Sequence, residues 1–384
     1  MATSARRTIP WVIEEQTAIK HELLRAYIGP WMNILWQQQE RVHVAPHLIY
    51  VDGFAGPGEY WTSEARTAKV DGSPIIVGKA ANSLISGQRK LDIITFDSDK
   101  RTVDHLAPLL KGINGTNQAW EINHGDFSSG AKSLMDKLTV RMGRDYPTFF
   151  FIDPFGYSGF PMNLLAEILK HERTEAFITF MTYDIVRFMD KPEEQDKMLG
   201  LFGTDDYRNH AAQCKTPEQR VNFITTLYRR QLLAEAKAKH VLGFRVNTPG
   251  QGQRARYFLF HASNNIKALK VMKEAMDRIS DQEFKFEAIG VGESEQFDLF
   301  VATPQDQIKA ALLGHIEKAP ASGIEYMDLE DWAYERTSGV ARHIKKALIE
   351  LEQQEGKLEI ERKPRQQTTT VAEGAIIKFV PTLL

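Results

Sequence analysis

Apolar residues recur at helical spacing through residues 11–39, at Ile19, Leu23, Leu24, Tyr27, Trp31, Ile34 and Leu35. They predict an amphipathic helix, bent or interrupted at Gly29-Pro30. From 48 to 180 the pattern changes. Short apolar runs, LIYVDGF at 48–54, LDIITFD at 91–97, TFFFIDPF at 148–155 and AFITFM at 176–181, alternate with helical segments near 73–86, 100–110, 130–141 and 161–171. The first, third and fourth runs are almost continuously apolar, as strands are when both faces of a parallel sheet are covered. The alternation is that of a doubly wound α/β sheet.

Residues 185–240 continue as helices around a polar interruption, GTDDYRNH at 203–210. Two β-like runs follow at 241–248 and 256–263, joined by PGQGQRA at 249–255, whose glycines and proline suit a hairpin loop. An amphipathic helix is expected at 264–279. From about 304 the chain looks separate, with helices at 305–318, near 326–335 and at 338–354, the last carrying Ile344, Leu348 and Leu351 on one face. Strand-like runs at 357–362 and 375–380 complete the order of a winged helix-turn-helix. The expected organisation is a helical segment at 1–45, a catalytic-type α/β domain at 46–300 and a winged-helix-like module at 304–384.

Composition narrows the class. Of 384 residues, 42% are hydrophobic and 26% charged, as in ordinary globular proteins. A formal net charge of -2 is too low for a chain that coats nucleic acid non-specifically, so contact with DNA or RNA would need a local patch. Cys214 is the only cysteine, which excludes an intrachain disulfide and a cysteine-cluster metal site. His21, His47 and His124 are not spaced as metal ligands, so no metal is expected. No apolar run approaches the roughly 20 residues needed to span a bilayer. Arg6 and Arg7 are not followed by the apolar stretch of a secretion signal, and a soluble cytoplasmic protein is expected.

The candidate chemistry sits where the apolar runs end. In YVDGFAGPGEY at 50–60 a strand ends in Asp52 and enters a loop of Gly53, Phe54, Gly56 and Gly58, where glycine lets the backbone turn tightly and approach a ligand. The next run ends in Asp97, placed to accept both hydroxyls of a ribose, a role shared by several nucleotide cofactors. NHGDF at 123–127 brings Asp126, a possible acceptor for an adenine amino group, with Phe127 beside the ring. FFFIDPFGYSG at 149–159 runs straight into Asp153, Pro154 and Phe155. There a carboxylate and a proline carbonyl can face one point and hold a flat amino group, while Phe155 stacks on its ring. Tyr183, Asp184 and Arg187 follow the last parallel run and either face substrate or pack the strand end. Lys20 and His21 either line the cofactor mouth or form a solvated helix start.

The GFAGPG loop, Asp97, the GDF turn and the DPFG run, in that order, resemble class I S-adenosylmethionine (SAM)-dependent methyltransferases. The DPFG run is similar to the D/N-P-P-Y/F signature of enzymes that methylate exocyclic amines of bases. With KHELLRAYIGPW at 20–31, GSP at 72–74 and FIDPFGYSG, the chain over about 11–280 resembles the three-Cys-motif partner protein family of bacteria and phages. That resemblance implies a Rossmann-like class I methyltransferase sheet with helices on both faces, closed by an antiparallel pair. It implies SAM as cofactor and a three-cysteine-motif protein as partner. Carried over, Asp52, Gly53, Gly56 and Gly58 surround the methionine moiety, Asp97 holds the ribose, Asp126 the adenine, and Asp153 to Phe155 the methyl acceptor. The chain departs from the amine-methylating signature at Phe155 and Gly156, which stand in place of Pro and Tyr/Phe and imply a more open loop.

In the C-terminal module Arg342, Lys345 and Lys346 share one side of the third helix, and Arg362, Lys363 and Arg365 sit at the wing, a geometry for phosphate contacts. Residues 305–384 hold 11 Lys and Arg against 13 Asp and Glu, so protein docking is the competing use. The leading expectation is methylation of an amino group of a base in DNA or RNA. A non-catalytic SAM-binding partner subunit is the alternative, and a nicotinamide-dependent enzyme the third reading. No P-loop or serine-hydrolase motif is present.

Overall fold

The computed structural model describes residues 8–113, 115, 117–142, 146–247, 257–279, 285–288, 305–365 and 367–381. In chain order it runs α1 (Glu15–Arg41), β1 (His47–Asp52), a short hairpin of β2 (Glu59–Trp61) and β3 (Lys69–Asp71), and α2 (Ser73–Leu84). There follow β4 (Lys90–Asp97), α3 (Lys100–Ile113), β5 (Gln118–His124), α4 (Phe127–Met142), β6 (Thr148–Ile152), α5 (Met162–Leu169), β7 (Thr174–Phe180) and α6 (Thr182–Phe188). Helices α7 (Gln195–Phe202), α8 (His210–Gln213) and α9 (Pro217–Ala234) lead to β8 (His240–Asn247), β9 (Tyr257–Ser263), α10 (Ile266–Ile279) and β10 (Lys285–Ala288). The last elements are α11 (Gln305–Ile316), β11 (Ile324–Glu325), α12 (Tyr326–Arg336), α13 (Ala341–Gln353), β12 (Leu358–Glu361) and β13 (Ile376–Phe379). Two units separate by contact, Met1–Val241 with Gln251–Ile279, and Leu242–Gly250 with Ser280–Leu384.

In the first unit the sheet order is β5-β4-β1-β6-β7-β9. The first five strands are parallel, and β9 runs antiparallel to β7. Successive side chains of a strand point to opposite faces, and every residue of β6, β7 and β9 is buried, so both faces are covered. The helices form two groups: α1, α2, α3 and α10 pack on one another, as do α4, α5, α7 and α9. This is a Rossmann-like, doubly wound sheet with helices on both faces and an antiparallel strand beside the parallel set.

Two differences from the apolar pattern have physical causes. Helix α1 is not interrupted at Gly29-Pro30. Proline removes one helical hydrogen bond, but Tyr27, Ile28, Trp31 and Met32 around it are all buried, and that packing holds the helix together. Strand β5 and the β2–β3 hairpin were not foreseen. β5 is an edge strand, half-buried through most of its length, and the hairpin strands have three residues each, so neither carries an apolar run. The loop at 249–255 and Arg6 and Arg7 lie outside the described residues.

In the second unit β8 pairs antiparallel with β10. Farther along, α11, α12 and α13 enclose Ile308, Leu312, Leu329, Ile344, Leu348 and Leu351, all buried, beside a three-stranded antiparallel sheet in the order β11-β13-β12. Among the described residues no helix is long and apolar enough to cross a membrane.

The site end of the sheet depends on one close crossing. Gly72 donates its N–H to the Gly58 carbonyl at 2.7 Å, and a Cβ on Gly72 would lie 2.9 Å from that carbonyl's carbon and oxygen. Replacing Gly72 by Ala forces two backbone segments apart, so urea unfolding should show a loss of about 1–3 kcal/mol.

Candidate functional site

The parallel strands all stop at one edge of the sheet, and carboxylates stand at their ends. Asp52 closes β1, Asp97 closes β4, Asp126 lies two residues beyond β5, and Asp153 directly follows β6. In open α/β sheets this edge is where ligands bind.

Asp52 is fully buried. It accepts from the Tyr50 hydroxyl at 3.0 Å, from the Phe54 N–H at 3.3 Å and from the Ser73 hydroxyl. Burial pushes its carboxyl up to about 7 in spite of these donors, and the nearby Asp153 charge adds to the rise. The loop beyond it is possible only with glycine: Gly56 has φ +62° and Gly58 φ +79°, and a Cβ on Gly58 would strike Leu106 at 2.4 Å. Asp97 pins this loop. Its Oδ2 accepts the Gly56 N–H at 3.1 Å and its Oδ1 the Asp99 N–H at 2.8 Å. The carboxylate is half-buried, and burial raises its pKa against the pull of those two N–H groups.

Phe127 is 1% exposed and packs against Phe54, Phe96 and Phe150, with its ring about 3.0 Å from where a Cβ on Gly53 would lie. It is thus the floor under the glycine loop. Asp126 is exposed and accepts from the Ser128 hydroxyl and from the Ser129 N–H at 3.2 Å, capping the start of α4.

Asp153 is held by Lys20. The Lys20 ammonium lies 2.5 Å from Asp153 Oδ1, with the two side chains 6% and 13% exposed, and 5.7 Å from the centre of the Tyr257 ring. Lys20 and His21 are therefore both buried, not a solvated helix start. Burial lowers His21 to about 3, against the attraction of Asp153, so its ring is neutral at ordinary pH, and its Nδ1 has no hydrogen-bond partner. It lies 5.6 Å from the Tyr60 ring, Tyr60 5.7 Å from Trp11, and Trp11 6.1 Å from Phe155. Pro154 is buried, whereas Phe155 is 72% exposed.

Tyr183 and Arg187 are exposed on α6, and Asp184, raised by burial and drawn back by Arg187, lies between them. In the second unit Arg342 and Lys346 are exposed on α13, and Lys345 is half-buried with its ammonium 5.8 Å from the Tyr326 ring. Arg362 is committed elsewhere: both of its terminal nitrogens grip Glu352, at 2.7 and 2.5 Å, so it is not a free phosphate contact. No metal-holding cluster of His, Cys, Asp and Glu occurs among the described residues.

The residues that sequence reasoning did not single out are Trp11, Tyr60 and Tyr257; Lys20 was weighed for the cofactor mouth, but not as the partner of Asp153. Lys20 had a signal, since it shares the helical face of Leu23, Leu24 and Tyr27, where a lysine is buried only with a partner.

No family model matches the chain, and no curated protein does. Solved structures similar to it include protein LPL1258 of Legionella pneumophila, at 11% identity over 69% of this chain and 95% of that one, with a TM-score of 0.39. Trm1 of Pyrococcus horikoshii, solved with S-adenosyl-L-methionine, is 14% identical over 97% and 94%, with a TM-score of 0.34. An O-methyltransferase of Bacillus cereus, solved with SAH, is 12% identical over 66% and 92%, with a TM-score of 0.32.

Two outcomes follow from the charges at this edge. Because folding raises the Asp52 carboxyl, its contribution to stability is greatest in acid and is lost as pH climbs toward about 7. Thermal melts between pH 5 and 8 should therefore show Asp52→Asn with a flatter profile and a relative gain at pH 8. Lys20→Met should cost about 3 kcal/mol or more by leaving Asp153 without its cation, and adding Asp153→Asn should restore most of it.

Proposed function

We propose that the chain is a SAM-dependent methyltransferase whose acceptor is an amino group of a base in DNA or RNA. The observation that supports this most is that Asp97, pinning the glycine loop, and Asp153, beside an aromatic cluster, stand at the same edge of a Rossmann-like sheet. The residues fit the cofactor. Each Asp97 oxygen accepts one N–H and keeps a lone pair for a ribose hydroxyl. The exposed Asp126 is free to meet an adenine amino group, and the loop from Gly53 to Gly58 borders the methionine moiety.

Bound there, SAM would supply a methyl group activated by a positively charged sulfur. The protein's part is to position and polarise the acceptor. Asp153 and the Pro154 carbonyl accept the two hydrogens of the amine and draw electron density onto its nitrogen. Lys20, paired through Oδ1, leaves Oδ2 for that contact. Phe155 offers an exposed ring for the base to stack on. Tyr183, Asp184 and Arg187 border the same edge as substrate contacts. We read the α11–β11–α12–α13–β12–β13 unit as winged-helix-like, with Arg342 and Lys346 as its phosphate contacts.

The Lys20–Asp153 pair also favours a second reading. A carboxylate already satisfied by an internal ammonium suits a non-catalytic SAM-binding subunit that works with a partner, such as a three-cysteine-motif protein. Calorimetric titration with SAM and its demethylated product comes first. Asp97→Ala should weaken binding about 10- to 100-fold. Asp153→Ala should keep cofactor affinity and abolish transfer of labelled methyl groups to unmethylated DNA or RNA. Normal SAM binding with no transfer by the native chain would favour the partner-subunit reading.

A further inference from the structure

At the opposite edge of the sheet, where the parallel strands begin, a cavity of about 190 Å³ opens between α1, α10 and the start of β7. Its walls mix apolar and polar side chains, with Trp31, Ile34 and Leu35 of α1 and Ala268 and Val271 of α10 as the apolar part and an exposed acid, Glu172, in the polar part. A cavity of about 150 Å³ admits a benzene ring, so this one has room for a ring and a short chain. One wall is a buried acid, Glu175, 8% exposed.

Three donors converge on Glu175: the Tyr27 hydroxyl, Trp31 Nε1 at 3.0 Å and His261 Nε2 at 3.0 Å. They solvate the carboxyl group, and none of them is a lysine or arginine. Phenol and indole are neutral, and His261 is the one ionisable partner, its Nε2 3.0 Å from Glu175 Oε2. Arg173 and Lys267 stand at the cavity, both exposed, and Glu175 is ion-paired with neither. A carboxylate taken out of water without a cation costs several kcal/mol, and here an open cavity adjoins it where a cation could enter.

We propose that this cavity binds a small organic ammonium ion, its apolar body between α1 and α10 and its ammonium at Glu175 beside the Trp31 and Tyr27 rings. Charge selects the ligand, because Glu175 is paired with no lysine or arginine. The rings reinforce that choice, since aromatic faces attract cations most strongly where water is excluded. The apolar walls select against fully hydrated inorganic cations. The site lies away from Asp97 and Asp153, so it stands or falls independently of methyl transfer.

The test is calorimetric titration of the full chain with 2-phenylethylammonium and cyclohexylammonium, each beside its neutral alcohol counterpart, 2-phenylethanol and cyclohexanol. The expected result is one ammonium bound per chain, at least about tenfold more tightly than the alcohol. Saturating SAM should not change it. Glu175→Gln should erase the preference for charge, and Ala268→Trp, which fills the cavity, should abolish binding of both forms. Equal affinity for ammonium and alcohol would reduce the cavity to an apolar void. No saturable binding of either ammonium, or binding untouched by Ala268→Trp, would overturn the proposal outright. The comparison of charged and neutral ligands uses the native chain, so it holds even if Glu175→Gln fails to fold.

Discussion

Strands buried along their whole length, as β6, β7 and β9 are, have no room for a carboxylate in mid-strand, so acids stand where such strands begin or end, and each must be compensated there. Three buried or nearly buried acids meet this constraint in three ways. Asp52 is pushed toward its protonated form and shares hydrogen bonds with Tyr50, Phe54 and Ser73. Asp153 takes a lysine from a distant part of the chain. Glu175 gathers three donors, His261 among them, and no lysine or arginine. The differences matter because they decide which acid is free to meet something outside the protein. Asp52 is closed off, Asp153 has one oxygen engaged, and Glu175 adjoins open space.

Backbone geometry is tied to the same groups. The turn after β1 needs left-handed glycines at 56 and 58, and the N–H that Gly56 exposes is met by Asp97 from the neighbouring strand. The carboxylate read as the ribose acceptor is thereby also a structural clamp. In that reading loop shape and ligand contact share one side chain.

Much of this was legible in the order of residues, and the exceptions are instructive. β1, β6 and β7 announced themselves because burial on both faces leaves an almost unbroken apolar run, and β1, β4 and β6 each lead straight into an aspartate. β5 did not, because an edge strand needs no such run. Asp52, Asp97 and Asp153 could be singled out as strand ends, but what each one touches could not. The partner of Asp153 is 133 residues away, and pairing across that separation is a product of the fold. Trp11 and Tyr60 joined the site in the same manner, through ring contacts that no local spacing encodes. That α1 runs on through Pro30 without interruption was not legible for the opposite reason, since a strong local rule yielded to tertiary packing.

Helix α1 spans 27 residues, about 40 Å at 1.5 Å per residue, and it serves both edges of the sheet. Lys20 near its start neutralises Asp153, while Tyr27 and Trp31 farther on solvate Glu175. It is therefore a shared girder. Anyone trimming the chain to its α/β sheet by removing this helix would delete the counter-charge at one edge and two of the three donors at the other. What remained would be a sheet with Asp153 stripped of its cation and Glu175 held by His261 alone, and its inactivity would say nothing about the function of the whole.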